Sequence, residues 1–183
     1  MNRRDNFIEY LQGIQNRNDR AALADLRRGL GDEPGAAQEM AKYIYPFFDK
    51  RDDREEFGFF LVASLFALHP ETAPASKDNP NLGAHLRLMA KGDEDELKRL
   101  ERRFTQLLAA ERSDLPELLP RAISLLKATG EPVNWRQLLN DVIVWNDYTR
   151  KDWARGFWNR PDSRNPDLST GTNPETILTQ EGE

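Results

Sequence analysis

Residues 57–68 read Phe-Gly-Phe-Phe-Leu-Val-Ala-Ser-Leu-Phe-Ala-Leu, a run in which only Gly58 and Ser64 interrupt large or methyl side chains. Such a run is long for a strand and too short to cross a bilayer. It has no polar face and no alternation, so it predicts a helix that other helices surround. The flanking sequence supplies the surrounding elements. Phe7, Tyr10, Leu11 and Ile14 recur at spacings of three and four, Leu23, Leu26 and Leu30 repeat the pattern, and Met40, Tyr43, Ile44 and Phe47 form a third stripe. Asn18 or Asp19 can cap the second of these helices, and Gly29, Gly31, Pro34 and Gly35 stop it. Asp49 to Glu56 reads as a charged connector, and His69 to Pro80, with its three prolines, as a loop.

The same period continues beyond a short helix over Leu82 to Lys91. Asp93, Glu94, Asp95 and Glu96 suit the first turn of a helix whose Leu97, Leu100, Phe104, Leu107 and Leu108 face inward. Asp114 can cap the next, with Leu115, Leu118, Leu119, Ala122 and Leu126 buried and Gly130 closing it. Asn134 followed by Gln137 resembles a capping box ahead of Trp135, Leu138, Leu139, Val142 and Trp145. A last helix over Asp147 to Asn159 carries Trp153, Phe157 and Trp158. Neither β-branched runs nor Asn-Gly hairpin turns occur. The expectation is an all-α, two-lobed helical bundle of about eight or nine helices, with an N-terminal lobe over 1–91, a C-terminal bundle over 92–160 and a disordered tail over 161–183.

Composition narrows the function. The 183 residues carry 31 Asp and Glu against 26 Lys and Arg, a formal charge of −5, which on its face opposes a polybasic nucleic-acid binder. There is no cysteine, so disulfides, cysteine zinc sites, iron–sulfur clusters and thiol nucleophiles are excluded. The start, Met1-Asn2-Arg3-Arg4-Asp5-Asn6, lacks the apolar core of a signal peptide, and a soluble cytoplasmic protein without membrane partners is expected. His69 and His85 have no further ligand at metal spacing, and they read as surface or partly buried side chains. The acidic pairs, such as Glu55 with Glu56, lie in connectors and at helix starts. No Walker lysine, nucleophile elbow or dinucleotide fingerprint is present, so no catalytic residue, metal or cofactor is assigned. A metal-dependent nuclease built on Glu55 or Asp93 is the enzymatic alternative.

Basic residues concentrate on the helices. Arg27-Arg28 and Arg102-Arg103 are doublets, and Arg112, Arg121, Lys127, Arg136, Arg150, Lys151 and Arg155 follow. Arg99, Arg102 and Arg103 share one side of a helix, while Lys151 and Arg155 stack beside Trp153 and Phe157, a mixture suited to phosphates and exposed bases. The competing account is local: arginines in surface ion pairs, for instance Arg99 or Arg103 with Glu96, and tryptophans in the core.

Several segments together resemble the CasB family, the small subunit of the type I-E CRISPR surveillance complex called Cascade. They are Ala24-Asp25-Leu26-Arg27-Arg28-Gly29-Leu30 with Pro34-Gly35, then Tyr45-Pro46-Phe47 and Leu61 to Leu68. Glu101-Arg102-Arg103-Phe104 with Leu107-Leu108, Ala110 and Arg112 follow, then Leu118-Leu119 with Arg121-Ala122. Val133-Asn134-Trp135 with Leu138-Leu139, Asp141 and Trp145, and finally Trp153-Ala154-Arg155 with Phe157-Trp158, complete the order over residues 4–158. The resemblance implies a non-catalytic, all-helical subunit in two copies, touching its second copy, the backbone subunits and the large subunit of a crRNA-containing assembly. It also implies sequence-independent support of an R-loop through the displaced strand of target DNA. Arg27, Arg28, Arg102, Arg103, Arg112 and Arg121 stand at matched basic positions as candidate nucleic-acid contacts, with Lys127, Arg136, Lys151 and Arg155 behind them. A purely architectural adaptor remains the alternative.

Overall fold

Asp52 accepts hydrogen bonds from the backbone N–H groups of Arg54 and Glu55, so the apolar run begins one turn earlier than its composition suggests. Asp53 to Glu56 are therefore the first turn of the central helix and not a connector; three carboxylates at that end also complement the helix dipole. In the computed structural model, which describes residues 2–48, 52–74 and 79–159, nine α-helices appear among the described residues. They are α1 (Arg3–Asn16), α2 (Arg20–Arg27), α3 (Gln38–Ile44), α4 (Asp53–Leu68), α5 (Leu82–Met89), α6 (Glu94–Leu108), α7 (Leu115–Thr129), α8 (Trp135–Val144) and α9 (Asp147–Trp158). Short 3-10 turns over Tyr45–Phe47 and Arg112–Asp114 join α3 to α4 and α6 to α7. The tail expected over 161–183 lies outside the described residues.

The caps account for most boundaries. Asp19, Asn81, Asp93, Asn134 and Asn146 each accept from a backbone N–H in the first turn of the helix that follows. Gly130 ends α7 in the left-handed conformation at φ 71°, which a side chain would disfavour. Two expected caps differ. Asp114 turns its carboxylate back to the Glu111 N–H and closes the 3-10 turn, leaving α7 without a side-chain cap. Asn134 caps α8, but Gln137 sends its amide forward to Asp141 instead of back to the cap.

Helix α4 is buried on every side over residues 58–67. It packs against α2, α3, α7 and α8, and Phe59 stacks on Phe7 of α1 with ring centroids 4.4 Å apart. Phe66 meets Trp135 of α8 edge-on at 5.5 Å. Each such ring contributes about 1.5–3 kcal/mol by leaving water. A second seam joins α5 to α9, where the backbones come so close that a Cβ on Gly83 would overlap the Trp153 carbonyl. Phe104 of α6 stacks on Phe157 of α9 at 4.4 Å and brings α6 onto that seam. One continuous cluster of buried apolar side chains runs through residues on both sides of position 91.

Candidate nucleic-acid interface

The arginines separate by what their guanidinium groups meet. Four reach across to the carbonyls that end another helix, where intrahelical donors are missing. Arg27 donates to the Ala67 carbonyl of α4 at 2.9 Å, Arg87 to Phe157 of α9 at 3.0 Å, and Arg150 to Ala110 just past α6 at 2.9 Å. Arg112 donates to Val142 at 3.1 Å and Ile143 at 2.8 Å, closing α8, and lies over the Phe57 ring. Burial, with Arg54 nearby, pulls its pKa below the ordinary guanidinium value. These positions gain from the negative end of the dipole and from hydrogen bonding.

A second set is held by carboxylates. Arg28 pairs with Glu39 at 2.9 Å, Arg121 with Glu117, Arg136 with Asp5 and Glu9 at 2.6 and 2.7 Å, and Arg155 with Asp152 at 3.0 Å. Arg3 and Arg4 grip the nearly buried Glu55 at 3.2 and 2.9 Å, tying α1 to α4. Glu55 and Asp93 thus have ion-pair and capping roles, and among the described residues no group of three His, Asp or Glu could hold a metal ion.

The third set is open. Arg102, Arg103, Lys127 and Lys151 are exposed and have no ion-pair or hydrogen-bond partner among the described residues. Glu96, which could have taken Arg103, pairs with Arg99 instead. The structure brings Arg99, Arg102 and Arg103 around one concavity on α6, and Arg103 also borders a groove whose other rim is Arg121 of α7. Arg27 and Lys127 line a separate hollow with Arg20. Arg28, Arg112, Arg136, Lys151 and Arg155 line neither group.

The aromatic partners of α9 differ from expectation. Trp153 and Phe157 are fully buried and unavailable to bases, because the helix turns that face onto α5 and α6. Its exposed rings are Tyr148, at 79% of full exposure, and Trp158 at 43%, with Lys151 and Arg155 between them on the outer face. Sequence reasoning passed over Tyr148, whose signal is its spacing of three and seven from Lys151 and Arg155.

Both histidines are nearly inaccessible, contrary to the reading of surface or partly buried side chains. His69 bonds the Glu131 carbonyl and His85 Nε2 accepts from the Asn134 N–H, so together they anchor the loop between α7 and α8. Burial pushes the His85 pKa down, although Glu131 opposes it. Asp141 of α8 is nearly buried, accepting from Trp153 Nε1 at 2.6 Å and from Gln137 at 2.8 Å. Burial pushes its carboxyl up to about 6, against those two hydrogen bonds.

The family model described as CRISPR-associated protein Cse2 matches residues 22–158. The chain belongs to the Cse2 family. This Cse2-family chain is 29% identical over 160 residues to the CRISPR-associated protein Cse2 of Thermus thermophilus, covering 84% of itself and 89% of that protein. It is similar to the crystal structure of CasB from Thermus thermophilus with a TM-score of 0.71 at 27% identity, over 86% of this chain and 99% of the other. A chain of a CRISPR RNA-guided surveillance complex shares the fold with a TM-score of 0.72 at 21% identity, over 85% of this chain and 91% of its own. The matched span includes all ten candidate basic positions, from Arg27 to Arg155. Among the described residues of this Cse2-family chain, no helix is long and apolar enough to cross a membrane.

Proposed function

We propose that this chain is the non-catalytic small subunit of a cytoplasmic CRISPR RNA-guided surveillance complex of the Cascade type, where it supports the R-loop through phosphates of the displaced DNA strand. The observation that carries the reading is the contrast on α6. Among the described residues Arg102 and Arg103 stand exposed without partners, while the other arginines mostly serve carbonyls or carboxylates. An unpaired surface guanidinium is free to meet phosphate at full strength. The fold shared with a chain of a CRISPR RNA-guided surveillance complex supports the setting, and with it partners that include a second copy, the backbone and large subunits, crRNA and target DNA.

Modest contacts suffice for this role. Exchanging a DNA duplex for an RNA–DNA heteroduplex is nearly balanced, so a few kcal/mol on the displaced strand decide whether the loop stays open. If Arg102, Arg103, Lys127 and Lys151 each neutralise one phosphate, affinity for single-stranded DNA falls with salt at a log–log slope of about −3. Base preference is slight, since phosphates carry no sequence. Fluorescence anisotropy with a labelled oligonucleotide over a salt series checks this.

A second reading is an architectural adaptor without direct nucleic-acid contact. It is favoured by Arg28, Arg121, Arg136 and Arg155, all already neutralised within the chain. Preserved assembly together with an absence of salt-sensitive binding to single-stranded DNA selects it.

A further inference from the structure

Helix α9 presents Tyr148, Lys151, Arg155 and Trp158 outward, and their spacings of three, four and three align them along one exposed stripe. Single exposed rings are ordinary on a protein surface. Here two rings share a helix face with cations between them, while Trp153 and Phe157 on the other face are fully buried. Tyr148 is the most exposed large hydrophobic side chain among the described residues, and it forms no ring contact or side-chain hydrogen bond with any of them. Arg155 occupies Asp152 at 3.0 Å and Arg150 occupies Asp147 at 3.3 Å, so the open charge of the stripe is Lys151.

Trp158 is held in place. Its indole N–H donates to Glu101 of α6 at 3.0 Å, and its ring rests against Phe104 and Phe157 with centroids at 5.5 and 5.2 Å. Its orientation is set before a ligand arrives, and Tyr148 is a stiff side chain, so stacking on either ring costs little entropy. Glu101 precedes Arg102, so the Trp158 end of the stripe lies against the helix that carries the open arginines. A rise of 1.5 Å per residue separates Tyr148 from Trp158 by about 15 Å along the axis, the length of about four nucleotides at stacked spacing. Rings with a cation between them suit single-stranded nucleic acid, in which every base offers a flat face and every link a phosphate.

We propose that Tyr148 and Trp158 are base-stacking contacts for the displaced DNA strand, with Lys151 neutralising a phosphate between them. This rests on the displaced-strand reading above and adds base faces to its phosphate contacts. Stacking is tolerant of sequence, so it leaves base preference slight.

Anisotropy titrations of the full chain with a single-stranded oligonucleotide, and with an abasic strand of equal length, test it. Tyr148→Leu keeps apolar bulk at an exposed helical position. It should weaken binding of the ordinary strand at least about fivefold with the salt slope unchanged, and Tyr148→Phe should bind as the parent does. Both variants should match the parent on the abasic strand, whereas Lys151→Gln should reduce the slope by about 0.7. Equal affinity of Tyr148→Leu and parent for the ordinary strand, or an equal loss on the abasic strand, overturns stacking; salt-sensitive binding in that case leaves the phosphate reading standing. Absence of binding by the parent overturns both. A Tyr148→Leu chain that binds DNA as the parent does but no longer joins the assembled complex identifies the ring as a protein contact and also overturns stacking.

Discussion

Arg112 and Arg102 have the same side chain and both follow an acidic residue, yet their surroundings assign them opposite tasks. Arg112 satisfies two carbonyls at the end of α8 and covers Phe57, while Arg102 meets nothing within the described residues. Arg112→Ala should therefore lower stability by about 2 kcal/mol in urea denaturation, by exposing unsatisfied buried carbonyls, whereas Arg102→Ala should change it by less than about 0.5 kcal/mol. Equal losses would contradict this division. Asp141 gives a pH signature. Its folded carboxyl titrates at about 6, above the ordinary 3.8, so the folded state holds a proton that the unfolded state has released. The resulting stability is present below pH 3.8 and is lost as pH rises through 6. His85 acts in the other direction: its lowered pKa favours folding above the ordinary 6.5 and loses effect as pH falls. Asp141→Asn, which keeps an acceptor for Trp153, isolates the first contribution. Relative to the parent, the variant should gain stability by roughly 3 kcal/mol between pH 4 and 7, and a pH-independent difference would refute the assignment.

At the level of helices, period and polarity were the legible signals. The apolar run of α4, a cap at Asn18 or Asp19 and the cap at Asn134 could be read because each depends on residues a few positions apart, whereas Asp93, expected within the first turn of α6, is its cap. Where a second element intervenes, local reading failed. Asp53 to Glu56 look like a linker by composition, but Asp52 caps them into α4 and Arg3 and Arg4 of α1 neutralise Glu55. Trp153 and Phe157 look available beside Lys151 and Arg155, but α5 and α6 cover them. The seam responsible for that cover is tight. Gly83 sits against the Trp153 carbonyl, and Gly156 against Asn81 and Ala84. Gly83→Ala must push α5 and α9 apart and should lower stability by about 1–3 kcal/mol. Differential scanning calorimetry would show this as a reduced Tm, and an unchanged Tm would indicate that the seam yields freely.

Across the whole molecule, net charge conceals its distribution. The excess of acid lies almost entirely beyond residue 160, and the helical body is close to neutral, with its cations sorted into clamps, ion pairs and open groups. The candidate positions could be listed from sequence, because arginine doublets on amphipathic helices are visible there. Which of them are open could not, because Ala67, Val142 and Phe157 lie 40, 30 and 70 residues from the arginines that bind them. The central claim is that the open pair on α6 helps hold the displaced strand. Its most direct test is the lifetime of an R-loop formed by the assembled, crRNA-loaded complex containing Arg102→Glu and Arg103→Glu. With assembly intact, replacing two phosphate contacts by repulsion should shorten the lifetime about tenfold or more, a loss of at least about 1.4 kcal/mol, and an R-loop that persists as long as with the unaltered subunit would contradict the claim.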